Sequence, residues 1–249
     1  MFSGLTPILA MRLVIFIEAM VLVGAAGMAA TLRRADREKR RKGWTKFVSY
    51  FLIVHTVFAC AGAPGPWFPG LVILIIIVGM AEIARLQCKR RKAGWKWRMI
   101  VIPWAVFGLL AAGTFLFAVR QPMSRIIFTY GVVAVLDAFS QLSGQLVGRR
   151  PLAPRISPSK TVEGAIGGTF CALAASLVLW PLAGHSPWFA AGCGMIIALC
   201  GIGGDLLSSW YKRLAGVKDY SGWLPGQGGV IDRFNSLICA APVMLFVFR

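Results

Sequence analysis

Four aspartates in the second half of the chain, Asp137, Asp205, Asp219 and Asp232, stand among basic and glycine-rich residues. Asp205, Ser208, Ser209 and Lys212 recur at i, i+3, i+4 and i+7, so a helix through them carries all four on one face. That face offers a carboxylate, two hydroxyls and an ammonium. Asp219 and Asp232 follow 14 and 27 residues after Asp205, across a loop that can fold back and bring the three together. Hard oxygen donors suit Mg²⁺, which takes one or two carboxylates, waters and the phosphates of its substrate. In "KDYSGWLPGQGGVIDRFNS" (218–236), Gly226, Gly228 and Gly229 permit positive φ and close approach of backbone to phosphate. A helix expected to begin near Val230 would put Asp232 and Arg233 in its first turn, where anions are favoured. Lys212, Arg213, Lys218 and Arg233 add the cations that a polyphosphate needs. The pattern points to metal-and-phosphate chemistry.

The stretch 137–168, "DAFSQLSGQLVGRRPLAPRISPSKTVEGAIGG", repeats these ingredients. Asp137 ends one apolar segment, a proline-stiffened loop follows, and "SPSKT" is expected to open the next helix. Ser159 or Thr161 can serve as its N-cap, with Lys160 in reach of an anion at that terminus. Gly164, Gly167 and Gly168 serve helix packing as readily as chemistry.

These residues are positioned by an apolar frame. Of 249 residues 57% are hydrophobic and only 14% charged, where a soluble domain is nearer a quarter charged. Eight segments are apolar enough to propose as membrane helices, roughly 12–32, 47–63, 67–84, 99–119, 125–143, 161–183, 187–207 and 230–248. The fold class is therefore all-α, a polytopic bundle of about eight transmembrane helices. The first apolar run exceeds a signal-peptide core and is followed at once by "RRADREKRRK", so it is expected to stay in the membrane. Residues 1–120 supply helices with basic loops, and 121–249 the region that carries the chemistry.

The net charge of +18 is not spread evenly. Residues 33–46 hold eight basic side chains and 85–98 hold seven; Arg149, Arg150, Arg155 and Lys160 form a third group, and Lys212, Arg213, Lys218 and Arg233 a fourth. Eight spans put all four groups on one side. The positive-inside rule makes that side cytoplasmic, and the charge is assigned to topology and anionic lipid rather than to nucleic acid. The acids at or near helix ends gather there too, and only Glu18 lies toward the other face. Asp36, Glu38 and Glu82 are read as interfacial salt-bridge partners. A transporter, the competing class, calls for carboxylates spread through the membrane depth. The six cysteines have no C-x-x-C spacing and are read as small hydrophobes.

Residues Ser209 to Asn235 resemble the signature of the phosphatidate cytidylyltransferase (CDP-diacylglycerol synthase) family, S-x-φ-K-R-x4-K-D-x-[small]-x2-φ-P-x-H-G-G-φ-x-D-R-φ-D, where φ is hydrophobic. Ser209, Lys212, Arg213, Lys218, Asp219, Ser221, Leu224, Pro225, Gly228, Gly229, Asp232 and Arg233 fall in register. The 137–168 stretch is similar to the family's upstream "D…G…G…SP-x-KT-x-EG…GG" segment. Gln227 stands at the histidine position, Asn235 at the last aspartate, Tyr211 at an aliphatic one and Ser159 at a basic one. The resemblance implies transfer of the cytidylyl group of CTP to phosphatidate, with Mg²⁺, giving CDP-diacylglycerol and pyrophosphate. It implies catalytic roles for Asp219, Asp232, Lys212 and Lys218, and substrate contacts from Ser157, Lys160, Ser209, Arg213, Gln227, Gly228, Gly229 and Arg233. Metal ligands are expected among Asp219, Asp232, Asp205, Asp137 and Asn235, the last offering an uncharged oxygen. It further implies a homodimer in a bacterial inner membrane with the site facing the cytoplasm. A divergent member with another lipid phosphate acceptor or weakened catalysis is the alternative within the family.

Overall fold

The computed structural model describes residues 6–33, 35–91 and 97–249, so Arg34 and residues 92–96 of the two strongest basic groups lie outside the described residues. The helices are α1 (Pro7–Leu32), α2 (Arg37–Gly62), α3 (Trp67–Arg91), α4 (Trp97–Arg120), α5 (Met123–Val147), α6 (Val162–Val178), α7 (Trp180–Ala183), α8 (Pro187–Leu214) and α9 (Ile231–Val247). Strands β1 (Pro151–Ala153) and β2 (Ser157–Thr161) form the hairpin between α5 and α6. Each of the eight expected segments is helical. Among the described residues, six helices are long and apolar enough to cross a membrane, α1 to α5 and α8. The chain is an integral membrane protein of the all-α class.

The remaining two, α6 and α9, have 17 residues each, about 25 Å at 1.5 Å per residue and short of a ~30 Å hydrocarbon core. α9 is packed inside the bundle with most of its residues buried, whereas α6 buries one face and leaves Ile166, Phe170 and Val178 exposed on the other. α7 continues the path of α6 after a break at Leu179.

Local sequence sets the helix starts. Asp36 Oδ1 accepts from Lys39 N at 2.7 Å at the head of α2. Ser186 Oγ accepts from Phe189 N at 3.2 Å at the head of α8, with Pro187 in the first turn. Proline there costs nothing, because that N–H has no intrahelical partner. At the same end of the bundle as the head of α8, where Phe189 lies 6.2 Å from the Phe248 ring, Arg125 donates to Phe248 O at 2.6 Å, meeting a carbonyl that the end of α9 leaves exposed.

α5 is the axis of the bundle. Its residues Ile126 to Leu136 are all buried, as expected of a helix that is apolar all round. It packs most extensively on α6, and also touches α1, α2, α8 and α9. One apolar core draws on residues from both halves of the chain, including Val57, Val72 and Phe117 from the first and Phe128, Ile197 and Met244 from the second.

The α5–α6 contact is made of small residues. A Cβ on Gly164 would stand 2.7 Å from the backbone oxygen of Ser140, and Gly168 is packed as closely against the Ser140 side chain and the Leu136 carbonyl. The packing role of these glycines is thus visible directly. Gly164→Ala should destabilise the protein by about 1–3 kcal/mol, because backbone rather than a rotatable side chain would have to move. Thermal melting in detergent measures this; unchanged melting would mean that α5 and α6 can separate freely.

The "SPSKT" segment differs from expectation. It is strand β2, paired antiparallel with β1 through Pro151–Thr161 and Ala153–Ser157, and α6 starts only at Val162. Thr161 is the N-cap, its hydroxyl accepting from Gly164 N at 3.0 Å. Proline and β-branched residues suit a short edge ribbon better than a first helical turn. The hairpin is tied to α8, since Arg213 Nε donates to Ile156 O at 2.9 Å.

Candidate active site

The basic ends of α5, α8 and α9, the hairpin and the 215–230 loop surround one cavity of about 870 Å³. Every residue singled out from the sequence as a substrate, metal or catalytic position lines it, with the exception of Gly229. Its other part is apolar, bounded by Phe16, Met20 and Val21 of α1, Phe51 and Val54 of α2, and Val133 of α5. The cavity is therefore amphipathic, charged at the basic end and greasy at membrane depth.

Two polar networks occupy the charged part. In the first, Asp232 is buried in the opening turn of α9. Its Oδ1 accepts from Lys212 Nζ at 2.5 Å, and its Oδ2 from Tyr220 N at 3.0 Å and Gly229 N at 2.9 Å. Lys212 also lies over the Tyr220 ring, 5.7 Å from its centroid. Burial pushes the Tyr220 phenol above its ordinary range, so the ring stays neutral beside this pair. Gly228 has φ +85°, and a Cβ there would lie 3.0 Å from Asp232 Oδ2, so the turn that delivers the carboxylate has no room for a side chain.

The second network runs across three helices. Ser236 Oγ donates to Asp137 Oδ1 at 3.0 Å, Ser236 N to Asn235 Oδ1 at 2.8 Å, and Asn235 Nδ2 to Asp205 Oδ1 at 3.0 Å. Lys160 of β2 pairs with the other oxygen of Asp205. The i, i+3, i+4, i+7 face of α8 accordingly turns inward: Ser208, Ser209 and Lys212 are buried, and Asp205 joins β2 to α9.

Asp219 differs from all of these. It is exposed at the cavity wall beside Gly228, and its carboxylate has no hydrogen-bond or ion-pair partner among the described residues. Lys218 next to it is likewise exposed. Arg233 lines the same wall, with its Nε buried and lacking a hydrogen-bond partner among the described residues. Arg213 is committed to the hairpin and to Val217 O at 3.2 Å, so it holds the frame while its side chain borders the cavity.

Asp205, Asp219 and Asp232 share the cavity, yet among the described residues no three carboxylate, histidine or thiol side chains are gathered closely enough to cage an ion. The donors present are all oxygen. An open arrangement of few carboxylates suits Mg²⁺, which keeps waters and completes its shell from substrate phosphate. The cation-rich wall fits a polyanion.

Two sequence-based readings are revised. Glu82 of α3 is not an interfacial salt-bridge partner: it is fully buried and accepts from Val230 N and Ile231 N at 2.9 Å each and from Ser221 Oγ at 2.5 Å. The N-terminus of α9 is thus filled by a protein carboxylate rather than left open for phosphate. Gly229, whose Cβ would stand 2.5 Å from Glu82 Oε1, makes room for that carboxylate. Gln227, at the family's histidine position, donates to Lys46 O at 2.6 Å, and Ser49 Oγ donates to Pro225 O at 2.8 Å, so the loop is docked on α2. No local spacing in the sequence links positions so far apart. The one available signal was an acid placed inside an otherwise apolar run.

Helices, cavity and charge together define a polytopic membrane protein with an amphipathic site at its basic end. The chain belongs to the cytidylyltransferase family, whose description matches residues 1–249. It is 39% identical over 126 residues to a phosphatidate cytidylyltransferase of Staphylococcus aureus (strain COL), covering 50% of this chain and 48% of that protein. It is 34% identical over 170 residues to a phosphatidate cytidylyltransferase of Brucella abortus biovar 1 (strain 9-941), covering 68% of this chain and 63% of that protein. The matched stretch spans about half the length of the first relative and less than two thirds of the second.

Proposed function

We propose that the protein transfers the cytidylyl group of CTP to phosphatidate, forming CDP-diacylglycerol and pyrophosphate, at the cytoplasmic face of a bacterial inner membrane. The amphipathic cavity carries this reading. A lipid phosphate needs a site whose charged end meets aqueous nucleotide while its apolar end meets acyl chains, and one continuous cavity offers both. Lys160, Lys218 and Arg233 border the charged part, where they can neutralise the triphosphate and the lipid phosphate.

An oxygen of the lipid phosphate attacks the α-phosphorus of CTP. That P–O bond forms as the bond from the α-phosphorus to the α–β bridging oxygen breaks, and the electron pair leaves on pyrophosphate. A phosphomonoester has a second pKa near ~6, so its oxygen is already largely ionised at neutral pH and needs no general base. The absence of the family's histidine at Gln227 is compatible with this chemistry. Positioning and charge neutralisation supply most of the rate in such transfers.

The donor set fits Mg²⁺, with Asp219 the open carboxylate and Asp232, Asp205, Asp137 and Asn235 as further oxygen donors. Bound there, the ion would neutralise charge on the triphosphate. Purified protein in detergent–phosphatidate micelles should release pyrophosphate from CTP, and chelation of divalent cations should stop it. The same assay run with other lipid phosphates tests the acceptor. Turnover with another lipid phosphate and none with phosphatidate would replace the substrate assigned here, and no release with any acceptor would overturn the reading.

A further inference from the structure

We propose that Glu82 is a positioning residue for the 218–233 loop, a role that rests on the cytidylyl-transfer reading of the site. Glu82 does not itself line the cavity and acts through the loop residues it holds.

An acid inside an apolar helix is costly at membrane depth and calls for a specific compensation. Glu82 is fully buried in α3 and has no lysine or arginine within ion-pair distance among the described residues. Its charge is met instead by the first-turn N–H groups of Val230 and Ile231 and by the Ser221 hydroxyl. A helix N-terminus is a natural counter-charge for a carboxylate, and charge-assisted hydrogen bonds are stronger than neutral ones.

The partners of this one carboxylate lie at both ends of the loop. Ser221 is two residues beyond Asp219; Val230 and Ile231 directly precede Asp232 and Arg233. Holding these points together sets the distance between the free carboxylate of Asp219 and the Lys212–Asp232 pair. α3 supports the same loop one turn further on, where Arg85 lies 5.9 Å from the Trp223 ring. Two positions of the family-like signature thereby acquire a shared cause. Ser221, at the small position, donates to Glu82, and Gly229, the second glycine, leaves the space that Glu82 fills. The residue they answer to lies outside the signature, more than a hundred positions upstream.

The test is Glu82→Gln, with Glu82→Asp and Ser221→Ala alongside. Glutamine keeps the size but turns an N–H₂ group toward donors. It should lower kcat by about 10²-fold through misplacement of the loop. KM for CTP and for phosphatidate should rise by less than kcat falls, since the substitution removes none of the cations that meet the phosphates. Aspartate, which keeps the charge, should recover part of kcat, and Ser221→Ala should fall between it and the wild type. Hydrogen exchange at Val230 and Ile231 should accelerate in Glu82→Gln while the amides of α5 remain protected. Wild-type kcat in Glu82→Gln, or a loss of activity no greater than the loss of folded protein, would overturn the proposal. So would unchanged exchange at those two amides. If the wild type itself releases no pyrophosphate, the assigned reaction fails, and the exchange measurement still decides whether Glu82 orders the loop.

Discussion

Asp219→Ala should reduce pyrophosphate release by about 10²–10³-fold, the scale of losing a preorganised electrostatic contact in the transition state. The fold should not notice. Asp219 is exposed and has no hydrogen-bond or ion-pair partner among the described residues, so its removal strands no buried donor and should shift stability by less than about 0.5 kcal/mol. Every other aspartate in the cavity is already engaged: Asp232 by Lys212 and two amides, Asp205 by Lys160 and Asn235, Asp137 by Ser236. A carboxylate kept free at a cation-rich wall serves no purpose for the folded chain alone. It is available to a ligand, and a divalent cation carried on a phosphate complements its charge. Asp219→Asn retains one oxygen donor without the charge, so activity should return in part as Mg²⁺ is raised. Titrating Mg²⁺ against initial rate in the two variants separates a metal role from a positioning one. Near-wild-type turnover in Asp219→Ala would remove Asp219 from the site and move the metal assignment to the engaged carboxylates.

What could be read from the chain alone follows from the range of each interaction. Long apolar runs specify helices whatever surrounds them, so all eight segments are legible as helices, although 161–183 breaks at Leu179 and six of the eight reach membrane length among the described residues. The hydrophilic face of α8 follows from a 3.6-residue period, which is also local. The Thr161 cap is legible for the same reason, although the strand before it is not. Residues 157–161 become a ribbon because β1 is there to pair with them, and a lone window of sequence contains no such partner. Glu82 and Gln227 lie at the far limit. Their hydrogen bonds reach across 139 to 181 positions, and each residue taken alone reads as an interfacial acid or a phosphate-facing amide. The Lys212–Asp232 pair is intermediate: both residues stand out in the sequence, but that they satisfy each other is decided by the fold of the loop between them.

That pair sets the second large effect. Asp232→Ala should destabilise the protein by about 3–5 kcal/mol and abolish activity, because it leaves a buried ammonium unpaired. The Tyr220 and Gly229 amides lose their acceptor in the same stroke. Lys212→Met alone should cost less, since Asp232 keeps both amide donors. The informative variant combines Lys212→Met with Asp232→Asn. Asparagine still offers its side-chain oxygen to the two amides, and no buried charge remains, so melting should return most of the way toward the wild type. Buried ion pairs are commonly replaceable in this sense without loss of stability. Activity should not return with it, because the lysine and aspartate charges are then absent from the site. A cycle of the two single variants and the double one, followed by thermal melting and by pyrophosphate release, reads the two effects separately. Recovery of both together would reduce the pair to a structural tie. Recovery of stability alone assigns the charges to the reaction, and explains why a buried ion pair sits where two apolar side chains would hold the bundle as well.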